Sequence, residues 1–256
     1  MADDPLKVWL EREGALLRLR LARPKANVLD AAMIRALRAA LDAHRSNAGL
    51  LAALVDHEGP HFSFGASVEE HLPENCAEML HSFHALLGAL LAWPKPILVA
   101  IRGQCLGGGL ELALAGTLIF AARDAVFGQP EMKLGVFAPA ASVLLPARIG
   151  QARAEDLLHS GRSIDASSAL AWGLANAVAE DPVALALEYF QNNLANKSAA
   201  SLGFGVQAVR SDFAAAANKR LLIVERLYLE ELMKTHDAVE GLNAFLAKRL
   251  PIWEHQ

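Results

Sequence analysis

Along the first half of the chain the apolar residues change period from segment to segment. Lys7 to Glu11 and Leu16 to Leu21 alternate, which predicts two antiparallel strands turning at Glu13-Gly14. After Asp30, a good helix cap, apolar residues fall at Met33, Ile34, Leu37 and Leu41, the spacing of an amphipathic helix. Leu50 to Val55 is a short unbroken apolar run and predicts a buried strand. Pro60 to Ala66 has no period and predicts a loop. A helix is expected over 75–92, ending ahead of Pro94, and a second buried strand over 97–101. A glycine-rich turn at 107–109, a helix to Ala115 and a strand over 117–122 repeat the cycle. This succession predicts an α/β fold with a largely parallel sheet buried on both faces.

From Ala140 onward the pattern is helical: 140–149, 151–160, 165–171, 183–195, 198–209, 214–235 and 237–247, with strand character only at 175–179. The chain is accordingly divided into a core over 1–195 and a helical region over 196–256.

Composition narrows the function classes. Of 256 residues, 54% are hydrophobic and 20% charged, which excludes a disordered chain and leaves apolar surface for self-association. A net charge of -4 provides no electrostatic footprint for nucleic acid, so no nucleic-acid partner is expected. The longest apolar stretches are too short for a membrane span, and Met1 to Lys7 does not read as a secretory leader. A cytoplasmic protein with no membrane partner is the expectation. Cys76 and Cys105 are too few for a disulfide scaffold; Cys105 reads as a small buried hydrophobe. His81 and His84 lie three apart on a helix, but no third ligand stands at metal spacing, so a partly exposed pair and no metal site are expected. Ser63 and Ser67 lack a nucleophile elbow.

Three loops after buried strands carry the candidate chemistry: 61–67, 103–111 and 127–135. Gly107, Gly108 and Gly109 open a helix at a cost of about 1 kcal/mol each relative to alanine. In return, bare backbone N–H groups can approach an oxyanion or a phosphate. Spacing alone leaves open the other use of such glycines, a tight turn with close helix packing. Glu111 lies in a stretch otherwise made of Leu, Ala and Gly, and Glu131 follows Pro130. Each alone would also serve to complement a helix dipole. Together, in apolar settings that raise a carboxyl pKa, they suit acid-base work on a water molecule beside an oxyanion site. Phe64, Met79, Phe83 and Phe137 could line an apolar pocket or simply join the core.

At these loops, and over essentially its whole length, the chain resembles the crotonase (enoyl-CoA hydratase/isomerase) superfamily. Arg23-Pro24-Lys25-Ala26-Asn27-Val28-Leu29 resembles the family's opening segment. Phe62 to Ser67 resembles its first oxyanion segment, and Gly103 to Leu112 its second. The tail from Asp237 through Glu240, Gly241, Phe245 and Lys248 to Arg249 resembles the segment that closes over CoA. The resemblance implies a ββα spiral with a C-terminal helical trimerisation region, and a homotrimer or dimer of trimers. It implies an oxyanion hole made by the N–H groups of Ala66 and Gly108, with Glu111 and Glu131 as catalytic residues. It also implies an acyl-CoA substrate held by Lys25, Ala26, Val28, Phe64, Ser67, Val68, Phe137, Phe245 and Lys248, with no metal or redox cofactor.

Two departures stand out: Ser67 replaces the family's usual Asp, and Phe137-Ala-Pro-Ala-Ala-Ser142 replaces a glycine-rich stretch. They are most similar to the branch that hydrates a cyclic 1,5-dienoyl-CoA in anaerobic aromatic degradation. The alternatives are a general 2-enoyl-CoA hydratase or isomerase, a hydrolase, and a non-catalytic acyl-CoA binder on the same scaffold.

Overall fold

The alternating N-terminal segments form β1 (Leu6–Glu11) and β2 (Leu16–Leu21), an antiparallel pair. The computed structural model describes residues 4–256, so the reading of the N-terminal leader lies partly outside the described residues. Asp30 caps α1 (Ala31–His44), its carboxylate accepting from Met33 N. Then follow β3 (Ala52–His57), α2 (Cys76–Leu91), β4 (Ile97–Ile101), β5 (Gln104–Leu106), α3 (Gly108–Leu114), β6 (Leu118–Ala122) and β7 (Val126–Gly128). The second half contains α4 (Pro139–Ile149), α5 (Gln151–Ser160), β8 (Ser163–Asp165), α6 (Ala166–Ala171), β9 (Ala177–Ala179), α7 (Pro182–Tyr189), α8 (Ala199–Glu230) and α9 (His236–Leu246).

The main sheet runs β1-β2-β3-β4-β6-β9, parallel from β2 onward. Its inner strands β4 and β6 are apolar at every position because both faces are covered, whereas β1, β2 and β3 also carry Lys7, Glu11, Arg18, Arg20 and Asp56. Leu17, Leu19, Ala53, Val55, Ile97 and Val99 join the large core with α1 and α2. Their neighbours Leu16, Leu54, Leu98, Ala100 and Phe120 join a second core with Ala186 of α7 and with Phe190 and Leu194 of the π-helical turn after it.

Beside this sheet lies a three-stranded one, β5-β7-β8, that the pattern did not predict. Each strand is three residues long, too short to display a period of two. Strand β8 also corrects the reading of 175–179 as the one break in the helical half.

The expected helices 198–209 and 214–235 are a single 32-residue helix, α8. Residues 210–213 contain neither Gly nor Pro, so nothing in the backbone interrupts it. The expected helix 183–195 ends as an α-helix at Tyr189 and continues as the π-helical turn. The histidine pair is also not as expected. His81 is exposed, but His84 is buried, with Nδ1 2.5 Å from Glu225 Oε2 of α8, while His81 reaches Glu225 Oε1 at 2.9 Å. The pair thus ties α2 to α8.

Among the described residues no helix is long and apolar enough to cross a membrane, and no three His, Cys, Asp or Glu side chains are grouped to hold a metal ion.

Candidate active site

The short strand β5 brings the three loops together. It pairs with β7 with Leu106 opposite Gly128, and Gly107 N donates to Gly128 O at 3.0 Å. Ser63 bridges to Cys105 on its other side, with Leu106 N donating to Ser63 O at 3.0 Å. Three chain segments more than twenty residues apart thereby meet along three residues.

The loop carrying Ala66 is held from beneath by Asn27, which is fully buried. Its Oδ1 accepts from Arg23 N at 2.9 Å, and its Nδ2 donates to Glu58 O and His61 O at 3.0 and 2.9 Å. Ser63 Oγ donates to Asn27 O and accepts from Gly65 N, while Leu29 N donates to Gly65 O at 2.9 Å. The Arg-Pro-x-x-Asn segment therefore scaffolds the loop.

Gly65 has φ +105° and Gly107 φ +51°, so both occupy backbone conformations that side chains disfavour. A Cβ on Gly65 would lie 3.0 Å from Leu106 O and 3.2 Å from Gly108 N; one on Gly107 would lie 2.6 Å from Glu131 Oε1. These absences let the two segments close on each other. A Cβ on Gly108 would lie 3.0 Å from Ala66 N, about the distance at which an oxygen accepts an N–H bond. Gly108 opens α3, so its N–H has no acceptor within the helix, and among the described residues Ala66 N makes no backbone hydrogen bond. Both residues line one cavity.

Glu111 projects from the first turn of α3 and is buried. Its Oε1 accepts from Ala141 N at 2.7 Å. Ala141 stands in the first turn of α4, where Pro139 starts the helix, so Glu111 caps α4 from a neighbouring element. Burial nevertheless outweighs these bonds and pushes Glu111 up to about 7.

Glu131 lies in the 3-10 turn Pro130–Leu134, half-buried, with its carboxyl beside Gly107. Loss of hydration, reinforced by the charge of Glu111, pushes it up to about 8. Buried Gln129 faces it: in the amide orientation that satisfies its neighbours, its nitrogen donates to both Glu131 oxygens at 3.0 and 3.1 Å.

The cavity between them is lined by Phe64, Ala66, Val68, Gly108, Phe137 and both glutamates, with Met79 and Phe83 deeper. The remaining candidates lie outside this lining. Lys25 and Lys248 are exposed, Phe245 is 52% exposed on α9, and Ala26 O accepts from Phe64 N. Val28 is half-buried in the scaffold segment, and Ser67 is spent on a local turn. Gln129 and His71 belong to the site and were not singled out from the sequence. Neither type nor spacing distinguishes them, because both depend on which loops meet. Behind Phe137, edge-on at 5.3 Å, stands Tyr228 of α8, whose buried hydroxyl has no partner among the described residues. A larger groove of about 650 Å³ lies elsewhere, between α8 and the C-terminal ends of α1 and α2, and contains no carboxylate.

The sequence pattern of the enoyl-CoA hydratase/isomerase family matches residues 11–256. A cyclohexa-1,5-dienecarbonyl-CoA hydratase of Thauera aromatica is 62% identical over 255 residues, covering 100% of this chain and 99% of its own. A carnitinyl-CoA dehydratase of Proteus mirabilis is 31% identical, covering 96% and 97%. The crystal structure of a carnitinyl-CoA hydratase from Mycobacterium avium superposes with a TM-score of 0.87 at 28% identity, covering all of both chains. With two N–H donors and a carboxyl pair converging on one apolar cavity, and with this similarity spanning nearly its full length, the chain belongs to the enoyl-CoA hydratase/isomerase family.

Proposed function

We propose that the protein adds water to cyclohexa-1,5-diene-1-carbonyl-CoA, giving 6-hydroxycyclohex-1-ene-1-carbonyl-CoA in anaerobic benzoyl-CoA degradation. The observation that carries this reading is that Glu111, Glu131 and the backbone of Ala66 and Gly108 line one largely apolar cavity. The 62% identical Thauera hydratase supports the ring substrate. The thioester oxygen accepts from Ala66 N and Gly108 N, which stabilise the negative charge that develops on it. Glu111 and Glu131 hold the water between them; one accepts its proton as oxygen attacks C2, and the pair returns a proton to carbon.

In this diene, attack at C2 leaves a dienolate spread over C1, C6 and C5. Protonation at C5 forms a C5–H bond and leaves a double bond between C6 and C1, conjugated with the thioester. The thioester is itself the electron sink, so no metal or redox cofactor takes part. Lys25, Ala26, Val28, Ser67, Val68, Phe245 and Lys248 are assigned to CoA and acyl contacts, and Phe64 and Phe137 to the ring. The enzyme works in the cytoplasm.

Turnover in heavy water tests the assignment. Deuterium is expected at the ring carbon derived from C5, with C1 left without a proton. Deuterium at C1 would mean ordinary 1,2-hydration and a general enoyl-CoA hydratase. No turnover would leave a non-catalytic acyl-CoA binder.

The active form is a homotrimer or a dimer of trimers, with 196–256 as the assembling region. Leu222 and Ile223 on α8 are 60% and 59% exposed, whereas Leu229 packs against the protein's own core. Replacing Leu222 or Ile223 with Asp should therefore weaken association without unfolding the subunit. Light scattering checks this, and a wild-type monomer would refute it.

A further inference from the structure

Besides the two glutamates and the N–H donors, an imidazole reaches the cavity. His71 closes the 3-10 turn Glu69–His71 and lines the same cavity as Glu111 and Glu131. Its Nδ1 lies 2.7 Å from the carbonyl oxygen of Ser67. A carbonyl only accepts, so Nδ1 carries the proton and the neutral ring presents the lone pair of Nε2. Burial holds the ring below its ordinary pKa, which keeps it in this neutral form near pH 7. Among the described residues the bond to Ser67 is the one this imidazole makes.

Ser67 holds this arrangement through its backbone. Its carbonyl fixes the tautomer, and its hydroxyl accepts from Glu70 N at 3.4 Å at the start of the turn. The neighbouring wall is apolar, made by Val68, Met79, Leu80, Phe83 and Phe137. A hydrocarbon ring packed on this wall would strip water from Nε2 and give it nothing in exchange. An O–H on the ligand would satisfy it.

We propose that His71 is a specificity-determining residue whose Nε2 accepts a hydrogen bond from a hydroxyl group on the acyl ring. This rests on the cyclic acyl-thioester reading above. The hydroxyl has two possible sources: the one that hydration adds, or one already borne by the ring of a hydroxylated dienoyl thioester.

The test compares three thioesters: the bare cyclic dienoyl-CoA, its 6-hydroxy product, and a dienoyl-CoA bearing a ring hydroxyl. Dissociation constants are measured in a Glu111→Gln background, so that ligand is not consumed. His71→Phe keeps a flat ring in the wall but removes the lone pair. It is expected to weaken one or both hydroxylated ligands by about tenfold and leave the bare diene unchanged. His71→Gln, which restores an acceptor oxygen, should recover most of that loss. A loss confined to the 6-hydroxy product assigns the hydroxyl that the reaction adds; a loss on the ring-hydroxylated diene assigns a substituent. Equal weakening of all three, or no weakening of either hydroxylated ligand, overturns the proposal. Should His71→Phe not fold, His71→Leu carries the same comparison. Turnover of the bare diene by the unsubstituted protein reports separately on the hydratase reading.

Discussion

Glu111→Gln and Glu131→Gln should each bind the acyl thioester nearly as well as the unsubstituted protein and turn it over about 10²- to 10⁴-fold more slowly. Glutamine keeps the shape and can still accept from Ala141 N at position 111 or face Gln129 at position 131. It cannot exchange a proton. Because the two carboxyls act on one water, the double variant should be scarcely slower than the worse single one. Steady-state kinetics and ligand titration check both statements, and near wild-type kcat in either single variant would remove that residue from the mechanism.

The same substitutions should alter stability in a definite direction. Both carboxyls titrate above their ordinary value of 4.5, at about 7 and about 8. The folded state therefore retains protons that the unfolded chain releases, and stability falls as pH rises from 4.5 through 8. Below pH 4.5 both states are protonated and this difference disappears. The Gln variants escape the loss, so their Tm should exceed that of the unsubstituted protein at pH 8.5 and approach it at pH 5.

Gly108→Ala is expected to fold and yet lose about 10²- to 10³-fold in kcat/KM, because the added methyl obstructs the proposed oxyanion site at a cost comparable to losing one of its donors. Gly108 lies within α3 and does not have a positive φ, so alanine suits its backbone. The added methyl, however, would sit 3.0 Å from Ala66 N and 3.4 Å from Ala66 Cβ, crowding the Ala66 N–H proposed to hold the thioester oxygen. Unlike the glutamine variants, this one should lose affinity for thioesters along with turnover. Thermal denaturation with kinetics separates the two effects. A folded Gly108→Ala protein with full activity would rule out this pair of N–H groups as the oxyanion hole.

The sequence and the tertiary structure divided the information unevenly. Hydrophobic spacing by itself determined most of the large elements. Strand β4 and helices α2 and α5 lie within a residue of their expected ends, because their apolar runs are bounded by Asn75, Pro94, Gly150 and Gly161. It also determined which residues could carry chemistry: three glycines at a helix start and two carboxylates in apolar company are recognisable one at a time. What it could not determine was their meeting. That was decided by β5, three residues whose pairing with β7 sets Gly107 beside Glu131 and whose bridge to Ser63 sets Ala66 beside Gly108. A strand so short leaves no periodic trace. Tertiary structure alone also turned the N-terminus of α4 onto Glu111, placed Gln129 against Glu131, and brought His71 to the cavity wall. Each of these depends on a contact between elements that are separate in sequence. A local pattern records the burial of its own side chains and carries no information about the partner across the gap.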